Sequence, residues 1–304
     1  MKILIYFLII VLWSINMEAK VKLPPLLSDN MVLQQKSNVR IWGKATPNST
    51  VVVTPSCANK EVKTHADEKG CWELQITTPA ASFEEYTLTL TDGEQSVTLQ
   101  HLLIGEVWLC AGQSNMVMPL NGFDYCPISD SNNVIADAPN HPGIRMVTIK
   151  PTVKLSPQEY AEGSWQQPTT ENAPKFSAAA YHYALTLQRT LQIPIGVITC
   201  AWGGSRVEGW LPKEILQTYK DEDLTLIGSD KTPVYLQSML MYNGILYPCH
   251  KYTIKGFIWY QGESNVRSSR TYAERLATMV KHWRSIWKPV SYTHLRAHET
   301  TLHL

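Results

Sequence analysis

Glu106-Val107-Trp108-Leu109-Cys110-Ala111-Gly112-Gln113-Ser114-Asn115-Met116 is the stretch whose reading decides the fold. After Glu106 the chain stays apolar to Ala111, with no alternation of the kind a half-exposed strand carries. Such a run reads as a strand buried on both faces, the pattern of a parallel sheet. Similar runs recur at residues 145–149, 195–201 and 256–260. Between and after them the apolar residues take helical spacing. Ala180, Ala184, Leu187 and Leu191 share one face, and Tyr272, Leu276, Met279, Trp283 and Ile286 share another. Strands that alternate with helices predict an α/β domain, its sheet covered on both sides. Residues 117–175 interrupt the alternation. They are rich in Pro, Asn, Ser and Gly, and read as a lid or a surface excursion.

Upstream of Ile104 the period changes to two. Trp72-Glu73-Leu74-Gln75-Ile76 and Tyr86-Thr87-Leu88-Thr89-Leu90 alternate, and Asp92-Gly93 supplies a turn before Val97-Thr98-Leu99. Val39–Trp42 and Val51–Val53 add two more strands. Short strands so spaced predict a small β-sandwich over residues 20–103. At the start, Met1-Lys2 precedes an apolar run over residues 3–13, with small and polar residues up to Ala19. This describes a secretory signal peptide over residues 1–19, and predicts a periplasmic or secreted protein. The run is too short to span a bilayer, so no membrane association is expected after cleavage.

The net charge is +1 and no basic block occurs, which argues against nucleic acid or an anionic membrane surface as partner. With 44% hydrophobic and 17% charged residues the chain has the composition of a globular protein with a sizeable core. The ten Trp and 14 Tyr suit either a core or the stacking of sugar rings. Of the six cysteines, Cys57 and Cys71 flank a strand-rich stretch and are the first candidates for a disulfide, whereas Cys110 and Cys200 lie in apolar runs and read as buried thiols. No CxxC or His/Cys spacing suggests a metal, and no cofactor is expected.

Three polar clusters follow three of the apolar runs. Gly112-Gln113-Ser114-Asn115 follows the first; a serine there can present its hydroxyl at the carboxyl end of the sheet, where ligands gather. Met116 stands where a G-x-S-x-G elbow has its closing glycine, which argues against an α/β-hydrolase. Trp202-Gly203-Gly204-Ser205-Arg206 follows the third run, and its glycines let backbone N–H groups approach a ligand. Gln261-Gly262-Glu263-Ser264-Asn265 follows the fourth. Gln261 carries a side-chain amide suited to a developing oxyanion, with Glu263 and Asn265 as braces. Each cluster alone is also explained by a cap, a turn or a buried polar group. Three at equivalent strand ends point to one site.

In their order, these motifs resemble the sialate O-acetylesterase family, a carbohydrate-esterase branch of the SGNH hydrolases. The likeness opens at Leu23–Gln34 (LPPLLSDNMVLQ), passes through Gly112–Met116, Trp202–Trp210 (WGGSRVEGW) and Tyr242–Pro248 (YNGILYP), and ends at Trp259–Asn265 (WYQGESN). It covers nearly all of residues 21–289. The resemblance implies a flavodoxin-like three-layer α/β/α SGNH domain over residues 104–289. It makes Ser114 the nucleophile, flanked by Gln113 and Asn115. Its N–H, an N–H from Gly203 or Gly204, and the Gln261 side chain would form the oxyanion hole. Glu263 would support Gln261, and Arg206 or nearby aromatic residues would contact the sugar. Acetylated glycans or sialic acids would be deacetylated through an acetyl-serine, with no cofactor.

The family's general base is a histidine in a late Asp-x-x-His segment, beyond a further strand and helix. Here residues 290–304 are polar and His-rich, without a strand pattern, and Ser291 and Leu295 stand three places before His294 and His298. They read as a tail foreign to the domain, and predict a C-terminally truncated chain with negligible hydrolysis. His65, His101, His141, His182 and His250 are scattered and read as structural; His250 is the nearest to a substitute base. The rival from another class is an exported, non-catalytic glycan-binding protein. A peptidase or amidase is weaker still, because nothing suggests a peptide subsite.

Overall fold

A computed structural model of the chain describes residues 21–58 and 60–287. The expected signal peptide, the expected tail, and His294 and His298 lie outside the described residues. The N-terminal strands are β1 (Val32–Gln34), β2 (Asn38–Lys44), β3 (Thr50–Pro55), β4 (Val62–His65), β5 (Cys71–Thr77) and β6 (Ser82–Thr91). Next come β7 (Ser96–Gly112), β8 (Ile144–Thr148), β9 (Ile195–Ala201) and β10 (Gly256–Tyr260). The helices are α1 (Ser114–Val117), α2 (Ser131–Asp137), α3 (Ala178–Leu191), α4 (Lys213–Leu216) and α5 (Ser269–Ile286).

β7 organises the molecule. Its first part pairs antiparallel with β6, and its middle pairs in parallel with β1, Val32 opposite Leu103. Its last part lies in parallel between β9 and β10. One eight-stranded sheet therefore runs β4-β3-β6-β7-β9-β8, with β1 and β10 also on β7, while β2 and β5 form a separate ribbon. The division expected between residues 103 and 104 falls inside β7. Along that strand the burial changes from one face to two, which is why its sequence reads as two strands. A register shift against β6 marks the change, where His101 takes a left-handed φ of 58°.

Around the last part of β7 four parallel strands run β8-β9-β7-β10. A flavodoxin-like sheet runs 2-1-3-4-5, and the departure is β8, added outside β9. The β9-β7-β10 core keeps a switch point: the chain leaves β7 toward β8 and β9 on one side, and the connection from β9 passes β7 to reach β10 on the other. Residues alternate between two apolar layers. Cys110, Met146, Ile195 and Val197 pack with Ala180, Tyr181 and Ala184 of α3. Leu109, Ala111, Ile198 and Cys200 belong to the other layer, with Met279 and Trp283 of α5.

Helix α3 begins where the Ser177 hydroxyl accepts the Ala180 N–H at 3.3 Å, and ends at Gln192 in the left-handed region. On the far layer Trp210, Trp259 and Trp283 meet edge to face, with centroids 5.5–6.5 Å apart. Trp42, Trp72, Trp165, Trp210, Trp283 and Trp287 are all buried, so most of the tryptophan serves the core. Cys57 and Cys71 are separate free thiols, correcting the expected bridge. Cys57 follows β3 of the large sheet, whereas Cys71 opens β5 of the ribbon. Cys110 and Cys200 are buried free thiols, as their apolar surroundings predict.

Candidate active site

The three polar clusters meet at the carboxyl ends of β7, β9 and β10, where Gly112 pairs with both Ala201 and Tyr260. Gly112 adopts a φ of 153°, and a Cβ there would stand 2.1 Å from the Tyr260 carbonyl oxygen. Only glycine allows this approach. The ends are tied by the Gln113 N–H to Tyr260 O and the Trp202 N–H to Gly112 O, both at 3.0 Å.

Ser114 opens α1 directly above this junction, half-buried. Its hydroxyl has no hydrogen-bond partner among the described residues. Its neighbours are stitched to the loop after β10. Gln113, buried, accepts the Gly262 and Ser264 N–H groups on Oε1 at 3.3 and 3.4 Å. Asn115 donates to Glu263 Oε1 at 2.5 Å, and the Ser264 hydroxyl donates to Gly204 O at 2.8 Å. The backbone N–H groups of Ser114, Gly203 and Gly204 have no acceptor among the described residues. Gly204 has a φ of 74° under the Tyr235 ring, whereas a Cβ on Gly203 would enter open space.

Gln261 differs from the expectation. Both of its amide hydrogens are committed: Nε2 donates to Ser205 O at 3.0 Å and to Asn265 Oδ1 at 2.8 Å. Oε1 is buried without a partner among the described residues. Ser205 O can only accept, and the second bond is set one residue further out. Asn265 donates from Nδ2 to the Glu208 carboxylate at 3.0 and 3.2 Å, so its Oδ1 must face Gln261 and the Val207 N–H. In this arrangement the Gln261 side chain has no hydrogen left for an oxyanion. Asn265, not Glu263, braces it; Glu263 braces Asn115 instead.

Arg206 is likewise engaged elsewhere. Its Nε donates to Leu236 O at 3.0 Å and an η nitrogen pairs with Glu222 at 2.7 Å, beside a cavity of about 200 Å³. That pair joins a buried network. Arg275 of α5 reaches Glu208, and holds Asp221 through two contacts of 2.7 Å. Burial alone would lower the Arg275 pKa, but Glu208, Asp221 and Glu222 outweigh it and raise it. The aromatic rings standing open beside the site are Tyr235 and Tyr260.

His250 is no substitute base. It stacks on Tyr247 and bonds Tyr247 O at 2.6 Å, and its charged neighbours are Lys251, Arg40 and Glu73, around the β2–β5 ribbon. It precedes β10, at the opposite end of the strands from Ser114. Burial lowers its pKa. None of the six described histidines bonds Ser114. Among the described residues no three His, Cys, Asp or Glu side chains converge as metal ligands, and no helix is long and apolar enough to cross a membrane.

Glu208 and Arg275 escaped the sequence reading. Their signal was a charge in an apolar setting: Glu208 sits in Val207-Glu208-Gly209-Trp210, and Arg275 on the inward face of α5 near Met279.

A family model described as carbohydrate esterase, sialic acid-specific acetylesterase, matches residues 104–291. The chain belongs to this family. The match to the sialic acid-specific acetylesterases takes in all three polar clusters and both layers of the parallel sheet. Sialate O-acetylesterases from Pongo abelii and Homo sapiens are each 28% identical over 278 residues, covering 85% of this chain and 52% of their own length. The chain thus spans about half the length of the curated relatives it matches. A carbohydrate acetylesterase from Xanthomonas citri is similar in structure, with a TM-score of 0.76 and 30% identity. That match covers 88% of this chain and 57% of the other.

Proposed function

We propose that this chain carries the nucleophile and oxyanion-binding face of an SGNH-type glycan O-acetylesterase. One observation supports it above others: Ser114, its hydroxyl unpaired among the described residues, stands at a topological switch point beside N–H groups of Gly203 and Gly204 that likewise have no acceptor there. Ser114 Oγ attacks the acetyl carbonyl carbon. The carbonyl oxygen takes up negative charge opposite the Ser114 N–H and the glycine N–H groups. The bond to the sugar oxygen then breaks, the sugar leaves as an alcohol, and water releases acetate from the acetyl-serine. Substrates are acetylated sialic acids or other acetylated glycans, with Tyr235 and Tyr260 as the nearest open rings. No cofactor enters the scheme. Export to the periplasm or medium is part of the proposal, and rests on residues 1–19.

The reaction needs a base to take the Ser114 proton, and no described imidazole bonds that hydroxyl. We therefore propose that, with no imidazole on that hydroxyl, acetyl esters turn over slowly, since lack of a triad's base costs about 10⁴-fold or more. The test compares the chain with its Ser114→Ala variant on 4-nitrophenyl acetate and on O-acetylated sialic acid, following acetate release and intact mass. The expected result is a single acetyl adduct on Ser114 with slow release, absent from the variant. Equal acetate release by the variant would overturn the nucleophile. Turnover equal to that of the Xanthomonas citri enzyme would overturn the slow-turnover proposal.

A further inference from the structure

A second cavity, of about 300 Å³, lies at the other end of the parallel strands, where the residues preceding β8 meet β6 and the last turn of α3. Gln188 forms part of its lining. This residue is only 8% exposed, yet its side-chain amide has no hydrogen-bond partner among the described residues. The exposure it keeps opens into the cavity. The residue is enclosed but its amide atoms keep access to the cavity, where a water or a ligand can bond them. Phe83 stands beside it with 51% of its surface exposed. Both depend on Gly143, where a Cβ would come within 2.5 Å of Gln188 Nε2 and 2.4 Å of the Phe83 ring.

The rim is polar. His141 bonds Asp137 at 2.8 Å, Arg189 lies 3.6 Å from the same carboxylate, and the Gln192 amide folds back on Arg189 O. An open aromatic face beside an amide with two donors and one acceptor complements a sugar ring, which has an apolar face and hydroxyl groups along its edge. The volume is at the small end of ligand pockets, room for one or two sugar rings.

We propose that this cavity is a second glycan-binding site, in which a sugar stacks on Phe83 and bonds Gln188. The choice of a glycan as occupant rests on the esterase reading above. The cavity and Ser114 flank opposite ends of β9, about 20 Å apart at some 3.3 Å per residue. A polysaccharide held at one end would thus raise the local concentration of acetyl groups at the other, while a small ester would gain nothing.

The test is native gel electrophoresis through acetylated xylan, pectin or mucin, with the full chain and its Phe83→Ala, Gln188→Leu and Ser114→Ala variants. The expected result is retardation of the chain and of Ser114→Ala in at least one gel, weakened about five-fold or more by Phe83→Ala and Gln188→Leu. Unchanged retardation in Phe83→Ala overturns the site, as does a parent chain that none of the three gels retards. Circular dichroism verifies folding; should Gln188→Leu fail to fold, the half-exposed Phe83 decides alone. If acetyl transfer to Ser114 fails while Phe83 still governs retardation, the esterase reading falls and this site stands.

Discussion

Gln261 Nε2 donates to Asn265 Oδ1 at 2.8 Å, a bond that, with the one to Ser205 O, fixes which end of the Gln261 amide is free. Removing it by Asn265→Ala leaves Gln261, the Val207 N–H and the Glu208 carboxylate each short of a partner inside the protein. The expected loss is about 2–4 kcal/mol of folding stability, from several buried groups left unsatisfied. Urea unfolding measures it, and a change below about 0.5 kcal/mol would show that the contact carries no weight.

The three glycines of the site predict three different outcomes. Gly112→Ala forces a Cβ against the Tyr260 carbonyl and prises β10 from β7, so soluble folded protein is expected to be lost. Gly204→Ala meets the Tyr235 ring at 2.8 Å with φ at 74°, for a cost of about 1–2 kcal/mol from the left-handed backbone alone. Gly203→Ala has open space, and its melting temperature should match the parent. Thermal melts of the three variants order them.

Asp92, in the turn between β6 and β7, supplies an acid-sensitive contribution. Burial would raise its pKa. The Gln95 N–H, the Thr46 hydroxyl and N–H, and the Glu94 N–H together lower it below the ordinary value. A carboxyl depressed in the folded state stabilises above its unfolded pKa of about 3.9, and loses that stabilisation as pH falls toward the folded value. Between about pH 5 and pH 3, Asp92→Asn is therefore expected to lose less stability than the parent. Parallel acid-limb slopes in pH-dependent urea melts would refute this.

Thiol reactivity should separate into classes. Cys126 is exposed, and Cys57 and Cys71 are half-buried. Cys110 and Cys200 are buried with pKa values pushed up by burial, and for Cys200 also by the Cys249 thiol, 3.8 Å away. With an aromatic disulfide reagent Cys126 should react first, and Cys110, Cys200 and Cys249 only after unfolding. Native-state labelling of Cys110 would contradict the packing around β7.

Much of the fold was legible because its two periods are clean. The run Glu106–Ala111, the alternation in Trp72–Ile76, and the helical spacing through Ala180 and Ala184 each name one element, and each forms. What stayed hidden was the joining of β1 to Leu103 and the continuity of β7, because pairing across some 70 residues leaves no local trace. The site followed the same rule. Ser114, Gly203 and Gly204 converge because strand ends converge, and strand ends are readable. The direction of the Gln261 amide was not, since it is set by Ser205 O and by Asn265, itself held by Glu208, which Arg275 reaches from α5.

β7 gives the two regions of the molecule a single fate. Its N-terminal half is the partner of β6, its middle is the partner of β1, and its C-terminal half supports both β9 and β10. Neither region can fray to completion without stripping a strand from the other. Heat or denaturant should therefore meet one cooperative unit. A cut in the chain near Leu103 would unravel both regions, where a linker between separate bodies would be severed harmlessly.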